Sequence, residues 1–232
     1  MSITRKKALP KPPPITSATK RRSVYLRWKR WLQHIYNEIV EMALDRHVYR
    51  EVRAMIASNT DLQVPSTFYG WMNRAYVADM AVAIRRQTDR DRRSISLLRL
   101  IQDVRDHPEV ISRRRYVGLY DPGRMRTLGH RTFERYAGSG AIQINPTVIR
   151  KHERELLAAE RKLRRFVNKH VAHRSRHPMR RLPTYGDLDT CLDLLERLLK
   201  EYKLLIEGVG LSRVVPVFQY DWKKPFRVAW IH

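Results

Sequence analysis

Residues 161–181, RKLRRFVNKHVAHRSRHPMRR, hold nine Lys or Arg and three His without one Asp or Glu. His170, His173 and His177 stand three and four residues apart, so on a helix their side chains share one face. Imidazole can take a proton from an RNA 2′-hydroxyl or return one to the leaving oxygen, and Arg or Lys can stabilise the charge that develops on the phosphate oxygens. The stretch NKHVAH (168–173) is the part that could carry such chemistry. Leu163, Phe166, Val167 and Val171 thread the same segment with apolar groups, which predicts a helix with core on one side and a His/Arg cluster on the other.

The bulk composition points to the same class of ligand. A formal net charge of +24 and a sequence pI near 10.8 make a field that attracts polyanions. RNA is the expected partner and DNA the other candidate; the bland reading is a basic surface with no dedicated ligand. Gly-rich phosphate loops, HExxH, GxSxG and metal-ligand Cys/His spacings are all missing from the sequence. Its carboxylates are few and mostly flanked by arginines, so no convergent acidic set for two-metal chemistry can be nominated. The expectation is therefore no cofactor and no metal. Cys191, the single cysteine, rules out an intramolecular disulfide and reads as a buried structural thiol in DLDTCLDLLERLL. With no run of about 18 apolar residues and no signal-type hydrophobic segment, the sequence predicts a cytoplasmic chain with no membrane partner.

Helices must position these groups. Residues 1–22 carry four prolines and seven bases without an acid, and predict a basic, Pro-rich disordered arm. Residues 23–232 read as one helical domain. Trp28, Trp31, Leu32, Ile35, Ile39 and Met42 recur at helical spacing, and a second helix follows Pro65 and Ser66. Ser94 is the expected N-cap of a third. Five glycines between Tyr116 and Asn145 predict an irregular insertion over 116–145. A fourth, very basic helix opens at Pro146 and extends to about His173. A fifth opens with a Thr-x-x-Asp capping pattern at Thr184 and Asp187 and runs to Gly208 as the one acidic element. Residues 209–232 form an aromatic, β-prone C-terminal extension.

Four stretches together resemble the abortive-infection U-type (AbiU-like) branch of the HEPN superfamily over roughly residues 24–232. They are YVADMAVAIRRQTDRDRRSISLLRLIQDV, LRRFVNKHVAHRSRHP, YGDLDTCLDLLERLLKEYKLLIEG and YDWKKPFRVAWIH. The resemblance implies an all-α, HEPN-like bundle of four to five helices, with the insertion and the short extension attached. It further implies a homodimer, a cognate antitoxin as partner, a setting in phage defence or toxin–antitoxin systems, and a metal-independent endoribonuclease. The family motif is an Arg, a polar residue and, a few positions on, a His. His173 matches the motif His and Asn168 the polar position, whereas Val167 stands where the Arg is expected.

Arg164, one helical turn before Asn168, is the candidate substitute. The implied catalytic set is thus His173, Asn168 and Arg164. Arg165, Lys169, His170, Arg174, Arg176, Arg180 and Arg181 form the nucleic-acid-binding set. The alternative is a catalytically inactive nucleic-acid-binding or ribonucleoprotein structural protein, in which His173 caps a helix end and His170 and His177 are solvated charge partners. Arg86 and Asp89 in RRQTDRD (85–91) line a partner cleft or close a salt-bridged helix end. Trp28, Trp31, Trp71, Trp222 and Trp230 read as core or dimer-interface residues.

Overall fold

Each main helix begins where a side-chain cap is available. In the computed structural model, which describes residues 12–167 and 183–228, helix α1 (Ala18–Ser58) starts from Ser17, whose hydroxyl accepts from the Lys20 N–H. It runs 41 residues, about 60 Å at the usual rise per residue. Tyr25, Trp28, Leu32, Ile35, Ile39 and Met42 are buried along one stripe of it. Helix α2 (Thr67–Gln87) is capped by Ser66 and α3 (Leu97–Asp106) by Ser96. Helix α6 (Pro146–Phe166) is capped by Asn145 with Pro146 in its first turn. Helix α7 (Tyr185–Glu207) carries the reciprocal Thr184/Asp187 capping box and ends at Gly208, whose φ of 71° is left-handed.

Helices α1, α2, α3, α6 and α7 share one continuous core. α3 and α7 both lie along α6, α1 packs on α7, and α2 bridges α1, α6 and α7. Trp28, Leu100, Leu163, Leu195 and Tyr202 are fully enclosed. The indole N–H of Trp28 donates to Asp103 Oδ2 at 2.6 Å, and Arg27 pairs with the same oxygen at 2.5 Å. An interior carboxylate is thereby satisfied from two sides. No strand occurs among the described residues; Ser112 and Gln143 make one isolated antiparallel bridge. No helix among them is long and apolar enough to cross a membrane.

The all-α bundle is as expected, and its details differ in three places. The 116–145 insertion is not irregular throughout: α4 (Arg113–Val117) enters it and α5 (Arg124–Ala137) occupies its centre. Gly123 and Gly138, at φ 94° and 89°, punctuate the two ends of α5 rather than breaking it. Within α5, Gly129 lies against Tyr120 so closely that a Cβ would come 2.8 Å from the ring. The first helix begins at Ala18, inside the expected 1–22 arm, and the Ile15 N–H donates to Glu109 at 2.7 Å. The cap of α3 is Ser96 rather than Ser94, because Ser94 closes the preceding turn onto the Asp91 carbonyl.

The C-terminal extension forms no strand over its described part. It packs through Phe218 and Trp222 on His47 of α1, and Lys223 pairs with Glu51.

Candidate nucleic-acid interface

Helix α6 turns an uncompensated cationic edge outward. Arg150, Arg154, Arg161 and Arg165 are all exposed. At about 100° per residue, steps of four, seven and four place the four side chains within about 60° of one another around the helix. Along the axis they span about 22 Å. None of the four has a side-chain hydrogen bond or ion pair among the described residues. The opposite side of the same helix buries Ile149, Leu156 and Leu163, so packing fixes which side faces water.

The acids of the fold are spent elsewhere. On α7, Asp189, Asp193 and Glu196 face Arg46 and Arg50 of α1, with Arg46 2.5 Å from both Asp193 and Glu196. Glu155 of α6 takes Arg197 at 2.6 Å and Lys151 at 3.9 Å. The acidic helix read from the sequence therefore pairs with Arg46 and Arg50 of α1, Glu155 is taken by Arg197 and Lys151, and the α6 row is left open.

Arg164 is differently placed. It points to the bundle side of the last turn of α6, with Nε 3.7 Å from Glu160 Oε2. Glu160 is only 2% exposed and its other oxygen has no hydrogen-bond partner. Burial pushes its carboxyl above the usual range, opposed by the charges of Arg164, Arg85 and Arg90 and by Thr88. A phosphate reaching Arg164 would compete with this buried carboxyl. Val167, in the position of the expected motif Arg, is buried in the core and its N–H closes the last turn of α6. An Arg there could not replace Val without opening the packing between α6 and its neighbours.

The end of α2 meets this turn of α6. Arg85 lies 3.7 Å from Asp89 and Arg86 lies 4.0 Å from Glu38. Gln87 donates to Glu38 while its carbonyl accepts the Leu97 N–H at 3.1 Å, and Ser96 donates to the Asp89 carbonyl at 2.9 Å. Arg86 and Asp89 thus sit in a salt-bridged, hydrogen-bonded helix end. Cys191 is buried and donates to the Ala159 carbonyl at 3.2 Å, and burial pushes its thiol up to about 12.

Of the residues nominated from sequence, Arg164 and Arg165 lie on the last turn of α6, one turned inward and one outward. His173, Asn168, Lys169, His170, Arg174, Arg176, Arg180 and Arg181 lie outside the described residues. Among the tryptophans, Trp28 is core, Trp31 is half-buried beneath Arg27, and Trp71 is exposed beside Phe68. Trp222 belongs to the cluster on His47, and Trp230 is outside the described residues. Arg150, Arg154 and Arg161, which share the exposed edge with Arg165, were not among the residues nominated from sequence. The signal for them was present as helical periodicity of Arg rather than as local density of charge. No group of three His, Cys, Asp or Glu suited to holding a metal occurs among the described residues.

No curated protein and no solved structure matches the chain. A family model does: that of HEPN AbiU2, described as AbiU2, over residues 25–224.

Proposed function

This chain belongs to the HEPN AbiU2 family of abortive-infection-type proteins, and from that premise we propose that it binds RNA along the outer edge of α6 and the segment that follows it. The observation that carries this reading is the row of Arg150, Arg154, Arg161 and Arg165, four guanidiniums with no partner among the described residues. Arg presents a planar fork that fits phosphate oxygens, and such contacts position a strand without reading its sequence. After Arg165 the sequence continues FVNKHVAHRSRHPMRR, in which further cations follow.

On this reading RNA is the working partner and DNA a competitor for the same charges. The protein acts as a homodimer in the cytoplasm, in a phage-defence or toxin–antitoxin system with a cognate antitoxin. Cleavage, where it occurs, needs no metal. His173 takes the proton of the attacking 2′-hydroxyl or returns one to the leaving 5′-oxygen, Asn168 orients the phosphate or the imidazole, and Arg164 supplies positive charge.

A second reading, RNA binding without cleavage, is favoured by one specific observation. Arg164 is committed to a buried carboxylate and Val167 is packed in the core, so neither offers a free guanidinium at the motif position. Incubation of the purified chain with labelled RNA in EDTA, wild type beside His173→Ala, separates the two. Cleavage by the wild type that disappears in His173→Ala supports the nuclease. Binding without cleavage in both supports the second reading, and absence of binding at low salt refutes both.

A further inference from the structure

A second cationic site lies at the other end of the bundle. Helix α3 runs antiparallel along α6: Leu97 meets the α2 end near Glu160, whereas Gln102 and Arg105 bond to Glu153 further back on α6. Beyond α3 the chain reaches α4, and Ile142 and Gln143 lead into the start of α6. Here Arg21 of α1, α4, Arg126 and His130 of α5, and Ile142 enclose an open basin of about 620 Å³. The 21 residues of α6 put about 30 Å between its start, beside this basin, and its last turn.

The charges of the basin are unbalanced in a way that points to an anion. Arg113 is tied down, with Nε donating to the Ala141 carbonyl at 2.8 Å and its guanidinium 3.3 Å from Glu134. Arg115 is stacked 4.6 Å over Tyr25. Arg21, Arg114, Arg126 and His130 have no side-chain partner among the described residues. The one carboxylate of the basin, Glu109, already accepts from the Ile15 N–H at 2.7 Å and lies 3.5 Å from His107. Apolar surface adjoins the cations, since Val117 lines the floor and Ile142 is 78% exposed at the rim.

We propose that this basin binds the phosphate of a nucleotide, with Arg21, Arg114 and Arg126 around the phosphate and Val117 and Ile142 as the wall for the base. Three unpaired guanidiniums converging on one concavity suit multidentate phosphate recognition, and the volume is in the range of small-ligand sites. The phosphate can come from a free mononucleotide or from a nucleotide within an RNA strand. The site is independent of the α6 row, so either can be present without the other.

The test uses the full chain with two probes, adenosine 5′-monophosphate by calorimetry and a fluorescein-labelled ten-nucleotide oligoadenylate by anisotropy. Arg114→Glu/Arg126→Glu is compared with Arg161→Glu/Arg165→Glu, and helicity is checked by circular dichroism. Arg126→Ala serves if the first pair disturbs folding. Basin substitution should weaken binding about tenfold or more, as expected when charged hydrogen bonds to a phosphate are lost. A loss of mononucleotide binding that spares Arg161→Glu/Arg165→Glu identifies a free-nucleotide site. A tenfold loss on the oligonucleotide alone identifies a strand phosphate. The proposal is overturned if basin variants bind both probes as the wild type does, or if the wild type binds neither. Loss of oligonucleotide binding only in Arg161→Glu/Arg165→Glu, with mononucleotide binding unchanged in the basin variants, would leave the α6 reading standing and remove this one.

Discussion

Replacing Arg161 and Arg165 together by Ala should flatten the salt dependence of RNA binding by a predictable amount. Both side chains are exposed and unpaired among the described residues, so their removal subtracts charge without opening the core. For single strands, the logarithm of affinity falls with the logarithm of salt with a slope of about −0.7 per phosphate neutralised. If each Arg of the row engages one phosphate, the four contribute about −2.8 and the variant should lose about half of that. Between 50 and 200 mM salt the full row then costs about 50-fold in affinity and the halved row about sevenfold. Fluorescence anisotropy with a labelled single-stranded RNA at four or five salt concentrations measures the slope directly, and a melting curve confirms that stability is unchanged. A variant with the wild-type slope refutes the reasoning, because it would mean that these two guanidiniums touch no phosphate.

Further outcomes concern the scaffold. Trp28→Phe removes the indole N–H that bonds Asp103 and leaves a gap in the core, so urea denaturation should show a loss of about 2–3 kcal/mol; unchanged stability would mean that Arg27 alone satisfies Asp103. Glu160→Gln should gain stability relative to the wild type as pH rises. Below its ordinary value near 4.5 the carboxyl is neutral folded or unfolded. Above it the unfolded chain ionises first, so wild-type stability falls until the buried carboxyl ionises too, and then levels off. Chemical denaturation of both proteins from pH 4 to 8 checks this; a constant stability difference would show that Arg164 offsets burial, and a change of opposite sign that it outweighs burial. Cys191, buried and with its thiol pushed up to about 12, should react with a thiol reagent only when denaturant opens the fold; rapid reaction of the native chain would contradict its placement.

The long helices were legible because their signals are local. The spacing of Trp28, Leu32, Ile35 and Ile39, the cap at Ser66 and the Thr184/Asp187 box each lie within a few residues, and each appears where the pattern places it. Helix α5 was missed because five glycines outweighed a periodicity visible in Phe133, Tyr136 and Ala137. Two of those glycines end the helix, and Gly129 is explained only by the ring of Tyr120 packed against it. The same limit applies to the candidate site. Density of charge drew attention to 161–181, whereas the exposed row begins at Arg150. The inward turn of Arg164 depends on Glu160 being buried between α6 and the end of α2, a tertiary fact with no local signature. Likewise the acidity of α7 is explained only by Arg46 and Arg50 of α1, which face it across the packed helices.

The claim that RNA lies along α6 is tested most directly by arginine footprinting. The full chain is treated with phenylglyoxal with and without saturating single-stranded RNA, and modification is read at each Arg by mass spectrometry. RNA lying along α6 should strongly protect Arg154, Arg161 and Arg165, with Arg93 and Arg227, each held by a nearby Asp, serving as unprotected controls. Equal modification of Arg161 and Arg165 with and without RNA would contradict it.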